Sequence, residues 1–243
     1  MRKTLVITDL IYMWADEVCV AGVDPEGAYV RLVAPGGVKT HHLFARGKLQ
    51  VYPRARVEVD LSPAEIAPPH IEDQKLGRPA FANRGACSDA EWEDVLRRSC
   101  HPGVVEMFDG YLEGGRRVPP ETPTRSLGTI ANVQVPHLYV DDSYERRQFR
   151  MDFVDDTGTK YRRFPINDLA LRTALQRKIE ALDESRAERV ALRAIRLTEQ
   201  VYLRTGLARP EELGDYPAMC WTQVTGVHTF PDYLDGKTFA DFS

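Results

Sequence analysis

Arginine, tyrosine and phenylalanine alternate through one short stretch, QFRMDFVDDTGTKYRRFPIND, from Gln148 to Asp168. It reads as two short strands joined at a turn. Period two sets Phe149, Met151 and Phe153 toward a core. If Phe164 and Ile166 face inward on the second strand, the outer face carries Arg150, Tyr161 and Arg163, with Arg162 beside them. A tyrosine between guanidiniums suits single-stranded nucleic acid, because a base stacks on the ring while the arginines meet phosphates. The alternative is a solvated hairpin whose arginines pair with Asp152, Asp155 and Asp156. Arg31, in AYVRLVAP, shares a strand face with Tyr29 and repeats the arrangement; pairing with Asp9 or Asp24 is the structural alternative. Trp221, in MCWTQVTGVHTF, is either a stacking residue or part of a core.

A second cluster is PPHIEDQ, where His70, Glu72 and Asp73 fall within four residues. Such a group can bind a divalent metal or work as an acid–base pair. A hydrogen-bonded structural loop explains the same residues. His41-His42 and Cys87…Cys100-His101 fit no standard zinc spacing, so no metal and no cofactor is expected. Cys19 could meet His70 or His228 in space, but no helix start follows it to activate a thiolate. There is no phosphate-binding loop and no G-x-G-x-x-G. No catalytic residue is therefore assigned.

Charge sharpens the choice. The net charge of the 243 residues is -4, which by itself does not suggest a nucleic-acid binder. From Arg146 to Arg209, however, fifteen Lys/Arg stand against nine Asp/Glu, while the remainder carries a net of -10. Local polarity of this kind steers an anionic partner more than the total does. No apolar run approaches the ~18 residues of a membrane-spanning helix. The opening MRKTLVITDL does not continue as a secretory signal. With four cysteines and no C-x-x-C pair, a reducing cytoplasm is the expected compartment.

The elements that must position these residues are mostly strands. Lys3–Leu10 and Val18–Val23 read as buried strands. The DPEG turn at Asp24–Gly27 and the strand Ala28–Val33 complete a hairpin. Arg56–Leu61 alternates cleanly. Ser88 and Glu91 form a capping box for a helix through Cys100, with Trp92, Val95 and Leu96 as its apolar stripe. Glu113–Thr124 is turn-rich and marks a boundary between residues 1–115 and 124–243. In the second half, Leu171, Leu175, Ile179 and Leu182 recur at helical spacing behind Asn167 as a cap, with helix continuing through RAERVALRAI. Gln200–Leu207 and Met219–Phe230 read as closing strands. The expected class is α+β and β-rich, with short strands and loops in the manner of small barrels.

The order of CVAGVDPEGAYVRLVAP, PPHIEDQ, TRSLGTI, FRMDFVDDTGTKYRRFPIND, YLRTGLARP and CWTQVTGVHTFPDYL resembles the dual OB-containing domain family. These are small bacterial proteins or modules with two barrels of the oligonucleotide/oligosaccharide-binding (OB) type. The family pattern has a proline after the hairpin arginine, where Leu32 stands here. The resemblance implies two OB-like barrels with accessory helices and binding of nucleic acid, often alongside defence systems. The residues and the resemblance together give the leading expectation: a protein without its own catalysis that binds single-stranded DNA or RNA through Arg31, Arg150, Tyr161, Arg162, Arg163 and Trp221. Two alternatives stay open. One is a metal-dependent enzyme acting on nucleotides or nucleic acid through His70, Glu72 and Asp73; the other is a module that binds a protein partner.

Overall fold

The structure, a computed structural model, describes residues 1–142, 146–213 and 216–242. The chain begins with a strand, Arg2–Tyr12, that pairs on both sides. Around it the order runs through Val18–Val23, Tyr29–Val33, Asp73–Leu76 and Ala55–Pro63, then back to Arg2–Tyr12. Five strands thus close into a barrel. All neighbours are antiparallel except Tyr29–Val33 with Asp73–Leu76, which are parallel. Parallel neighbours need a crossover connection, and the chain between them supplies it. Leu5, Ile7, Val20, Leu32, Val57, Val59 and Leu76 fill the interior. The first hairpin forms as its DPEG turn predicts: Asp24 Oδ1 accepts from the backbone N–H of Glu26 and Ala28.

Gly22 lies where two strands of this barrel press together. A Cβ there would sit 2.5 Å from the backbone oxygen of Val6, with no flexible side chain to yield. Gly22→Ala is expected to destabilise the fold by about 2 kcal/mol through overpacking. A denaturant midpoint equal to wild type would show that the strands part more easily than this geometry implies.

The second half is an open half-barrel. Gln134–Asp141, Gln148–Val154 and Lys160–Pro165 form an antiparallel meander. It meets the long strand Tyr216–Phe230 through a parallel bridge from Ile166 to Val224. Tyr216–Phe230 then pairs with Gln200–Leu207, which pairs with Leu127–Ile130. The fold is β-rich α+β with two OB-like units, as expected. One segment ahead of the expected boundary and one within it also join this second sheet. Cys100–His101 pairs with Leu127–Ile130, and Arg117–Val118 with Tyr216–Phe230. The helix Asp89–Arg98, capped reciprocally by Ser88 and Glu91, lays Trp92 edge-on against His228.

Two helices stand between the meander and Gln200–Leu207. Leu169–Ala181 is capped by Asp168 rather than Asn167: the Asp168 side chain accepts from Ala170 N–H and Leu171 N–H. Helix does not run on unbroken. It stops at Leu182, which is exposed, and restarts at Glu184 because Asp183 accepts from Arg186 N–H as a new cap.

The two units are bolted together by buried polar groups. Arg204 Nη2 donates to Asp9 Oδ2 at 2.8 Å, and both side chains are fully buried. Ser126 N–H and Oγ–H both donate to the Glu72 carboxylate at 2.7 Å. His228 Nε2 meets Thr8 O at 3.1 Å. Tyr12 N–H donates to Asn167 O at 2.7 Å. A junction so committed in hydrogen bonds holds whatever lies along it in one geometry.

Candidate functional site

The Gln148–Asp168 hairpin does not present the expected face. Arg162 and Arg163 form a bulge: Met151 pairs with Phe164 but Phe153 with Tyr161, leaving two residues where one belongs. Arg163 takes φ 51° to make the bend. The bulge shifts the parity of the strand, so Tyr161 and Phe164 both point inward. Tyr161 is 4% exposed and stacks on Phe153, with ring centroids 4.8 Å apart. Burial pushes its hydroxyl well above the usual tyrosine range. It is a core residue and offers no ring to a base.

The arginines of the hairpin are largely engaged. Arg150 Nε and Arg163 Nη2 both donate to Asp141 Oδ2, at 3.0 and 2.8 Å. The carboxylate comes from the neighbouring strand, not from Asp152, Asp155 or Asp156. Asp152 instead accepts from Arg163 N–H and Tyr139 O–H. Arg162 is exposed, and its carbonyl accepts from Arg116. Trp221 is half-buried, faced by Arg117 at 5.9 Å. The structure therefore brings Arg150 and Arg163 together on Asp141, puts Tyr161 behind them in the core, and leaves Trp221 beside Arg117.

Arg31 is in a different setting. It is 5% exposed, and its Nε donates to Asp73 Oδ1 at 2.7 Å. Arg209 Nη2 reaches the other oxygen of Asp73 at 2.6 Å. One carboxylate thus holds two guanidiniums, and the trio keeps a positive charge. Arg31 Nη2 is buried and has no hydrogen-bond partner. His70 sits beside this group, with Nε2 3.4 Å from Leu207 O. Burial, helped by Arg31 and Arg209, drives the His70 pKa down to about 4. His70, Glu72 and Asp73 are each spent on the junction between the units. Among the described residues no three His, Cys, Asp or Glu side chains are grouped to hold a metal.

Arg31 and Arg209 line a cleft of about 390 Å³ along that junction. Tyr12, Met13, Trp14 and Cys19 come from the first unit; Asn167, Leu207 and Gln223 come from the second. Trp14 is 62% exposed, and the Arg146 guanidinium stacks on its ring. Arg172 lies 4.3 Å from the Tyr12 ring centroid, and its Nη1 donates to Ile166 O. Burial pushes the Cys19 thiol up to about 11, which leaves it an unreactive wall residue. The cleft combines an exposed indole, apolar walls and guanidiniums, and it suits a flat, anionic ligand.

Of the residues expected from sequence, only Arg31 lines this cleft. Trp14, Arg146, Arg209 and Gln223 were not singled out as binding residues, and Asn167 was read only as a helix cap. Trp14 carried a usable signal: it stands in YMWADE, where an apolar strand gives way to acidic turn residues, so its ring is not drawn into the strand. Comparison with family models, with curated proteins and with solved structures finds no match to this chain.

Proposed function

We propose that this protein binds single-stranded nucleic acid, DNA or RNA, along the cleft between its two OB-like units. The observation that carries the reading is the pairing of exposed Trp14 with buried Arg31 and half-exposed Arg209 on one preformed cleft. An indole accepts any base face, and guanidiniums accept phosphate oxygens. OB-like barrels offer this combination for oligonucleotides. The resemblance to the dual OB-containing domain family supports the same reading and extends it to a bacterial, defence-associated role; the four cysteines without a C-x-x-C pair fit a reducing cytoplasm. The negative total charge is no obstacle, because steering depends on the local field at the cleft.

Fluorescence-anisotropy titration of labelled single-stranded DNA, single-stranded RNA and duplex DNA at several salt concentrations tests this. Single strands are expected to bind more tightly than duplex, with a log–log salt slope near −0.7 for each phosphate contacted. Trp14→Ala and Arg209→Ala are each expected to weaken binding about tenfold, the scale of one stacked base or one charge-assisted contact. The site is misplaced if Arg162→Ala and Arg163→Ala abolish binding while Trp14→Ala leaves it intact. Absence of binding at low salt ends the proposal.

A further inference from the structure

The wall of the cleft opposite the first unit carries two side-chain amides. Asn167 Nδ2 donates to Gln223 Oε1. That bond uses one donor and one acceptor of the pair. Whichever way the amides are turned, the pair retains one carbonyl oxygen and one NH₂ group. Gln223 is 9% exposed, so this edge is held rigidly rather than waving in solvent. A donor beside an acceptor matches the pairing edge of a nucleobase, the edge that proteins read on unstacked bases.

The same cavity holds the guanidiniums. Arg31 spends Nε on Asp73, and its Nη2 has no partner. A buried donor left unpaired destabilises the folded state; an anionic oxygen brought against Arg31 supplies what the group lacks. Arg209 stands beside it on the same carboxylate. At about 390 Å³, the cavity lies near the small end of ligand pockets, roughly 300–1,000 Å³. It has room for one nucleotide.

We infer that the cleft takes a single nucleoside monophosphate unit, its phosphate on Arg31 and Arg209 and its base edge on Asn167 and Gln223, supplied either by a strand or as a free nucleotide. The strand arm rests on the function proposed above; the free-nucleotide arm does not.

Isothermal titration calorimetry with the four nucleoside monophosphates, their nucleosides and inorganic phosphate tests the site. The same monophosphates then compete against a labelled single strand in anisotropy. At least one monophosphate is expected to bind ten times more tightly than its nucleoside or phosphate alone, and to displace the strand. Arg209→Ala is expected to remove that tenfold advantage, and Gln223→Ala to change the ranking of the four bases. Arg209 is the variant of choice because it is half exposed, whereas loss of buried Arg31 threatens the barrel itself. Strand binding that no monophosphate displaces, with an unchanged base ranking in Gln223→Ala, overturns the inference and leaves the single-strand function standing. Monophosphate binding without strand binding does the reverse: the nucleotide site stands and the strand function falls. If neither binds, both are wrong.

Discussion

Asp9→Asn is expected to lower the free energy of unfolding by about 4 kcal/mol. Asp9 is buried completely and accepts from Arg204 Nε and Nη2. Thr225 and Thr8 hydroxyls donate to it at 2.6 Å each. Arg204 uses its remaining side on Thr129 Oγ1 at 2.8 Å and lies 4.9 Å from the Tyr29 ring centroid. Burial alone would raise the Asp9 carboxyl; the charge of Arg204 and these hydrogen bonds outweigh it and hold the group below its ordinary value. An amide of the same shape keeps some hydrogen bonds but strands the guanidinium without a counter-charge. Breaking one side of a buried pair costs roughly 3–5 kcal/mol, a large share of the ~5–15 kcal/mol that holds a domain together. The double variant Asp9→Leu/Arg204→Met removes both charges and is expected to lose less than Asp9→Asn alone. Chemical denaturation of the three proteins measures this. If the double variant loses as much stability as Asp9→Asn or more, the two side chains are not acting as a pair.

Acidification is expected to weaken the fold before any carboxylate of ordinary pKa is protonated. His228 is buried against Thr8 O and Trp92, and burial lowers its pKa from 6.5 to about 4. His70 is lowered to about 4 likewise. Each imidazole binds its proton more readily in the unfolded chain. The stability each provides is complete above pH 6.5 and drains as pH falls toward 4, about 3 kcal/mol per group. Asp168 works in the other direction. Burial raises it to about 6 despite three backbone N–H donors, so its ionised form is a liability that protonation below pH 6 relieves, by a similar amount. Two losses against one gain leave a net fall of about 3 kcal/mol between pH 6.5 and 4. Unfolding midpoints measured across that window check it. His228→Gln should flatten the profile; a profile that stays steep would assign the acid sensitivity elsewhere.

What was legible in the sequence is what a few neighbouring residues encode. The DPEG turn and the Ser88–Glu91 capping box are local devices, and both stand where their spacing puts them. Strands with strong alternation, such as Arg56–Leu61, are equally plain. Tyr161 was misplaced because a single bulge at Arg162–Arg163 inverts the parity on which its outward position depended, and no residue type announces that bulge. Asp141 was missed as the partner of Arg150 and Arg163 because it lies on another strand. The cleft was harder still. Its walls come from residues near 14, 31, 167, 209 and 223, and nothing in one stretch declares the others. The clearest hint was negative: Thr8 and Asp9 sit inside an otherwise apolar strand, as Arg204 does in YLRTGL, and polar groups in such places require partners.

The union of Asp9 with Arg204 also imposes a timetable. A ribosome that has made the first strand must add 195 further residues before the matching cation exists, which at roughly 5–20 residues per second takes about 10–40 s. Through that interval Asp9 keeps its hydration, and the sheet surface that later meets the second unit stays wet. The final docking of the first barrel on the second unit therefore waits for the strand that carries Arg204.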